Sequence, residues 1–376
     1  MKKLAIIGAS YLQNPLIEKA KSMGLETHVF AWECGDVGEK TAHYFYPISI
    51  VETEEILKKC KDIGIDGICT IASDLAAVTV NYVANHLGLP CNSPSCAEKS
   101  TNKHKMRKAF EVGGDPSPKS ILVHSIADLE NISLRYPVIV KPTDRSGSRG
   151  ITKLETPEGL QQAIDTAKGH SFENAALVEE FATGQEYSVE CISYRGQHRL
   201  LAITLKYTTG APHFIETAHL QPAPLSVEMA KKVQEVVFHA LDSLEITNGA
   251  SHSELKIAAD GTIQLIEIGG RMGGDFIGSD LVPLSTGVDF MQAVIDVAMG
   301  NAPDLTPSGA VGAAAVRFVF SYKDVRVLQD ITAQEPEILV RKELSEIKDQ
   351  VVTDSSNRFG AYILADPTPA KLQKWL

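Results

Sequence analysis

Short apolar runs alternate with amphipathic segments along the first ninety or so residues of the chain. The spacing predicts strands at 4–7, 27–30 and 67–70. It predicts helices at 15–23, stopped by Gly24, at 52–61, and at 75–87, closed by Gly88. Strand and helix alternating in this way indicate a parallel sheet with helices on both faces.

The pattern changes after residues 90–100, which are rich in Pro, Cys, Ser and Asn and mark a first boundary. A helix is expected over 101–112, followed by the turn Gly113-Gly114-Asp115-Pro116-Ser117-Pro118. Beyond it, β-type runs at 138–141, 151–154, 177–181, 187–194 and 200–207 alternate with helical patterns at 128–135 and 158–168. Antiparallel sheet with a few helices follows from this arrangement. A long helix over 227–244 precedes two apolar runs, 251–258 and 262–268, separated by Asp260-Gly261, a strong hairpin signal. Residues 313–320 and 360–364 read as strands, and 324–340 as an irregular connection with short elements.

Composition narrows the class. With 376 residues, 44% hydrophobic and 22% charged, the chain has the profile of a soluble globular protein of two or three domains. A disordered, fibrous or disulfide-stapled chain is excluded. Lys and Arg number 36 against 47 Asp and Glu, a net charge of −11, which argues against nucleic-acid and anionic-membrane partners and leaves room for a local phosphate pocket. Met1-Lys2-Lys3 precedes an apolar run broken by Gly8, Ser10, Gln13 and Asn14, too short for a signal peptide. The six cysteines form no Cys-x-x-Cys pair, so reduced structural thiols in a cytoplasm are expected. The first turn, Gly8-Ala9-Ser10-Tyr11-Leu12-Gln13, lacks the second and third glycines of a dinucleotide fingerprint, which removes nicotinamide binding while keeping a Rossmann-like fold.

Two clusters carry chemistry. Lys141 closes the apolar run 138–141, where partial desolvation strengthens its pairing with phosphate. The loop after it, Ser146-Gly147-Ser148-Arg149-Gly150, has small side chains whose backbone N–H groups can close over phosphate oxygens. In the second cluster, the Asp260-Gly261 turn makes Glu254 and Glu267 approximate cross-strand partners. Opposed carboxylates repel, and a divalent cation with phosphate co-ligands, Mg²⁺ above all, relieves the repulsion. Arg271 follows in a glycine-rich turn, where a guanidinium can fork onto a phosphoryl or carboxylate group.

In this order the segments resemble the ATP-grasp superfamily of carboxylate–amine ligases over roughly residues 1–300. Asn102-Lys103-x-x-Met106-Arg107 resembles the family's D-K-x-x-M-R helix, with Asn102 in place of Asp. Leu177-Val178-Glu179-Glu180-Phe181 and Gly184-Gln185-Glu186 resemble the strand and hinge that hold adenine by backbone groups, Glu186 matching the ribose acid. The resemblance implies an ATP-grasp fold of α/β and α+β character. Its parts would be a Rossmann-like domain at 1–97, a linking helix at 98–112, a lid at 113–184 and a large C-terminal part at 185–376. It further implies that Lys103, Lys141, Ser146, Gly147, Ser148, Gly150, Glu179, Glu180, Phe181 and Glu186 bind ATP. Glu254 and Glu267 would hold two Mg²⁺, Mn²⁺ being an acceptable substitute.

Within the superfamily the chain is most similar to L-amino-acid ligases. His252-Ser253-Glu254, Glu267-Ile268-Gly269-Gly270-Arg271 and Phe214-Ile215-Glu216-Thr217-Ala218-His219 match that branch. The resemblance assigns Arg271 to catalysis and Glu216, His219 and His252 to the substrate pocket. An ADP-forming ligation of small molecules through an acylphosphate is then expected, under a closing lid. His219 and His252 are candidate bases because an imidazole titrates near neutrality. Gly269 stands where many relatives have Asn, and Asp275, where the better-known dipeptide ligases tend to be apolar, suggests a cationic or otherwise unusual amine substrate. Lys103, Lys141, Arg149 and Arg271 would gather the needed cations in one cleft. The tail is compatible with a homodimer. The rival readings are a bicarbonate-activating branch of the carbamoyl-phosphate synthase or biotin carboxylase type, and a non-catalytic nucleotide-binding subunit.

Overall fold

The structure is a computed structural model that describes every residue except Ser146, Ser148, Pro212 and His213. Strands β1 (Lys3–Ile7), β2 (Glu26–Phe30), β3 (Tyr44–Tyr46) and β4 (Gly67–Cys69) form a parallel sheet in the order β3-β2-β1-β4. The run Leu4 to Ile7 is buried on both faces, the signature of a central parallel strand. At its end Gly8 takes φ +104°, and a Cβ there would meet the Gln13 side chain at 2.9 Å. Gln13 in turn donates to the Ile71 carbonyl at 2.8 Å, tying the turn down at the crest of the sheet.

The expected boundary at 90–100 is partly helical, Pro94–Thr101, with Ser93 as N-cap and Pro at its first turn. The helix expected over 101–112 begins at Lys103 instead, Lys103–Gly113, because Asn102 is extended and caps it by accepting from the Lys105 N–H at 3.1 Å. Asn102 is therefore the N-cap of this helix.

The second sheet holds β5 (Ser120–Val123), β6 (Val138–Pro142), β7 (Thr152–Leu154) and β8 (Ala176–Glu180) in the order β5-β8-β6-β7, all pairs antiparallel. Helix Leu160–His170 buries Leu160, Ala163, Ile164 and Ala167 against it. The helix expected at 128–135 is absent: a 3-10 turn, Ile126–Leu129, closes with Asp128 accepting from the His124 and Ser125 N–H groups. Asn131 then takes φ +71°, which ends any helix.

The large sheet has eight strands among the described residues: β9 (Gln185–Tyr194), β10 (Gln197–Thr208), β11 (Glu216–Gln221), β12 (Gly249–Ile257), β13 (Ile263–Gly269), β14 (Ala313–Phe318), β15 (Leu339–Leu344) and β16 (Gly360–Asp366). Their order is β13-β12-β9-β10-β11-β14-β16-β15. Period-2 alternation divides the work of β9. Tyr187, Val189 and Cys191 pack with Val233, Val237 and Leu241 of helix Val227–Ser243, while Glu186, Ser188 and Glu190 face the other way. The segment expected to be irregular at 324–340 contains the helix Tyr322–Gln334, capped by Ser321 and Asp324. Only Leu328 and Ile331 of that helix are buried, too narrow an apolar stripe for periodicity to signal.

Among the described residues no single helix is long and apolar enough to cross a membrane; one pair, Ile277–Thr286 with Phe290–Ala298, reaches the needed composition but is bent by 116°. The six cysteines are free, four of them buried, and burial pushes the Cys60, Cys69 and Cys96 thiols up to about 12.

Candidate active site

The polar face of the large sheet, the sheet β5-β8-β6-β7 and the start of helix Lys103–Gly113 enclose one cleft. The hairpin register sets Glu254 directly opposite Glu267, as the Asp260-Gly261 turn implies. Each acid has its own lysine: Lys206 Nζ lies 2.5 Å from Glu254 Oε1, and Lys103 Nζ lies 2.7 Å from Glu267 Oε1. Burial opposes ionisation of Glu254, yet the Lys206 ammonium and His252 hold its carboxyl well below the usual carboxylate range. Lys206 is 3% exposed and also meets Glu186 at 3.0 Å and Glu216 at 3.6 Å. Burial alone would discharge it, but the three carboxylates raise it well above an ordinary lysine.

In the second sheet Lys141, next to last in β6, pairs with Glu179 at 2.6 Å, while Arg107 meets the other Glu179 oxygen at 2.9 Å. Burial works against the charge on Glu179, but Arg107 and Lys141 keep its carboxyl below the usual range. The Glu179 side chain is thus a structural counter-ion for two cations. The backbone N–H groups of Glu180 and Phe181 are taken by the Lys119 and Pro137 carbonyls, at 3.0 and 3.1 Å. The resemblance expects backbone groups of this stretch at adenine, and these two N–H groups are not among those left open to it. The Phe181 ring lines the cleft instead, with the Lys153 and Lys256 ammonium groups 4.2 and 4.8 Å from its centre.

In the loop after β6, Gly147 lines the cleft with φ +74°, and Gly150 packs where a Cβ would strike His170 at 2.7 Å. Ser146 and Ser148 lie outside the described residues. Of the four cations expected in one cleft, Lys103, Lys141 and Arg271 line it, whereas Arg149 is exposed and Arg145 lines the cleft in its place.

Arg271 is fixed by Asp74, the first residue of helix Asp74–Leu87, through bonds of 2.8 and 3.2 Å. Beside it His252 is bonded on both ring nitrogens, to Glu190 through Nδ1 and to Glu254 through Nε2 at 3.4 Å. Glu190 is fully buried and also accepts the Gly273 N–H at 3.0 Å. A Cβ on Gly273 would stand 2.8 Å from both the Glu190 carboxylate and the His252 ring, so the turn requires glycine there.

Glu216 lines the cleft, and His219, three residues on, is buried against Phe318 rather than open to it. Burial and then Lys206 push His219 down to about 3, whereas His252, despite its burial, is raised to about 9 by Glu190 and Glu254. Neither histidine titrates near neutrality, which corrects the basis on which they were candidate bases. Asp275 is not a free acid either: Arg358 binds both its carboxylate oxygens, at 2.9 and 2.6 Å, which removes the ground for a cationic amine substrate.

Lys206, Asp74, Glu190 and Arg358 belong to no motif in the sequence. One signal was available for two of them, because Lys206 with Thr204 on β10 and Glu190 with Glu186 on β9 keep the period of 2 that marks one sheet face. Among the described residues no three His, Cys, Asp or Glu side chains converge as a closed metal cage. The donor set is instead a pair of opposed carboxylates on the cleft wall, an open oxygen-only site that fits a hard divalent cation taking its remaining ligands from water or phosphate.

Residues 134–280 match a family model described as an ATP-grasp domain. The alanine–anticapsin ligase of Bacillus subtilis (strain 168) is 30% identical over 286 residues, 68% of this chain and 58% of that protein. Carnosine synthase 1 of Homo sapiens is 25% identical over 336 residues, 81% of this chain and 40% of that protein. The chain thus spans about half the length of these curated relatives. The crystal structure of an L-amino acid ligase from Bacillus licheniformis superposes with a TM-score of 0.84 at 23% identity, covering 100% of this chain and 96% of that one. Together with the paired acids and the lysines that answer them, these likenesses place the fold and the domain: the chain belongs to the ATP-grasp superfamily.

Proposed function

We propose that this protein is an ATP- and Mg²⁺-dependent ligase that joins the carboxylate of an L-amino acid to an amine through an acylphosphate, releasing ADP and phosphate. The observation that carries the reading is the meeting, in one cleft, of the Glu254–Glu267 pair, the cations Lys103, Lys141 and Lys206, and both Arg271 and Glu216. A carboxylate is a poor acyl donor because it would have to expel oxide. Phosphorylation supplies phosphate as the leaving group instead.

In this reading Lys103, Lys141 and the loop 146–150 bind the triphosphate, and Phe181, Glu180 and Glu186 take the nucleoside. Glu254 and Glu267 hold Mg²⁺, which when bound offsets charge on the transferred phosphoryl group. His252 keeps Glu254 in place, braced from behind by Glu190. Arg271, oriented by Asp74, stabilises the acylphosphate and the oxyanion formed when the amine attacks. Glu216 faces the substrate ammonium, and His219 backs the same wall. The lid at 113–184 closes over the acylphosphate and keeps water from it. Relatives named for amino-acid ligation support the choice of carboxylate.

A screen of ADP and phosphate release over amino acids, singly and in pairs, tests the reading. Release that requires both Mg²⁺ and an amino acid is expected. Release with bicarbonate and no amino acid, or tight ATP binding without turnover on any substrate, overturns it.

A further inference from the structure

Residues 301–376 carry no motif, yet a turn near their end reaches the cleft wall. Ser355–Asn357 is a 3-10 turn capped by Asp354, and Arg358 follows it. The Arg358 side chain is 6% exposed. Its two terminal nitrogens donate to the two Asp275 oxygens at 2.9 and 2.6 Å, and its Nε donates to the Ser355 carbonyl at 2.8 Å. The guanidinium lies 3.7 Å over the Phe318 ring. Ser355 Oγ donates to Glu216 Oε2 at 3.0 Å, and Arg358 Nη1 reaches the Glu216 carbonyl at 3.4 Å. One turn therefore grips both Glu216 and Asp275.

What it grips is strained. Asp275 and Phe276 are consecutive non-glycine residues at φ +49° and +65°, a conformation that L side chains adopt only when the surroundings impose it. This stretch directly follows Arg271-Met272-Gly273-Gly274, so its placement bears on the guanidinium that faces the reacting group. Only an arginine can present a planar fork to a carboxylate and stack on a ring at the same time.

We infer that Arg358 is a positioning residue: the turn 354–358 locks Glu216 and the strained stretch 275–276 into one wall, and this wall sets which carboxylate substrates the cleft accepts. The inference rests on the proposed reading in which Glu216 faces the substrate ammonium.

The test uses the full chain with Arg358→Gln, Arg358→Lys and Ser355→Ala. Hydrogen exchange reads the lock without any activity: in Arg358→Gln, segments 214–219 and 272–277 exchange faster than in the wild type while 103–113 does not change. Unchanged exchange in those two segments overturns the lock. In kinetics, Arg358→Gln raises KM for the amino acid by roughly tenfold or more and leaves KM for ATP within about twofold. Arg358→Lys stays nearer to Arg358→Gln than to the wild type. If Arg358→Gln does not fold, Ser355→Ala gives the same split at roughly threefold. An equal rise in both KM values, or none, overturns the specificity role. A wild type that releases no ADP with any amino acid defeats the proposed function instead, and the exchange result then decides the lock by itself.

Discussion

Arg271 and Asp74 meet across 197 residues of chain, the guanidinium Nε and Nη2 donating to the two carboxylate oxygens at 2.8 and 3.2 Å. Burial opposes the charge on Asp74, yet the Arg271 guanidinium keeps its carboxyl below the usual range, and Asp74 in turn holds Arg271 above an ordinary arginine. Asp74 opens a helix, where backbone N–H groups also favour an anion. The parallel-sheet domain thus supplies the group that aims the arginine of the C-terminal site. Asp74→Asn keeps the shape but removes the charge. Turnover is expected to fall by about tenfold to a hundredfold with KM for ATP unchanged, measured by steady-state ADP release.

Lys206 sits among Glu186, Glu216 and Glu254. Lys206→Met leaves three carboxylates facing one another without a cation. The loss of a buried partner costs about 3–5 kcal/mol, so Tm falls. Added Mg²⁺ should then raise Tm of the variant more than that of the wild type, because a divalent cation replaces the missing charge. Equal Tm values in thermal melts would count against this description of the cluster.

Glu267→Gln keeps the hairpin register and the bond from Lys103 to the Arg145 carbonyl, so folding is expected to survive. ADP formation should drop by about a hundredfold to a thousandfold. Circular dichroism and a turnover assay on the same preparation check both halves.

His239 on helix Val227–Ser243 pairs with Asp115 at 2.7 Å, just beyond helix Lys103–Gly113. The hydrogen bond and the charge of Asp115 raise the His239 imidazole above the ordinary 6.5. A histidine raised in the folded state contributes its full stabilisation below that ordinary value and loses it as pH rises through the raised one. The Tm difference between wild type and His239→Gln should therefore be largest in mild acid and shrink above neutrality. A difference independent of pH would contradict the pairing.

Most of the fold was legible because its elements are locally consistent. Strand β1 carries a continuous apolar run, Leu4 to Ile7, and the hairpin carries Asp260-Gly261 between alternating segments. What sequence reading missed depends on non-local pairing. Lys206 has meaning only once β10 lies beside β9 and β12 lies beyond it, and Asp74 only once its helix approaches the turn after β13. Helix Tyr322–Gln334 was hidden by a face with two buried side chains. The resemblance singled out Glu254, Glu267, Lys103, Lys141 and Glu179, but not that Lys103 pairs with Glu267 and Lys141 with Glu179, nor that Lys206 answers Glu254. His219 and His252 stood out as histidines near neutrality, a property that burial and Glu190 take away.

The central claim is that a substrate carboxylate is phosphorylated before the amine attacks. Turnover with an amino acid whose carboxylate carries heavy oxygen tests it directly, with mass analysis of the released phosphate. The account predicts one labelled oxygen in each phosphate, carried over when the acylphosphate breaks. Unlabelled phosphate, with ATP hydrolysed at the same rate, would contradict it.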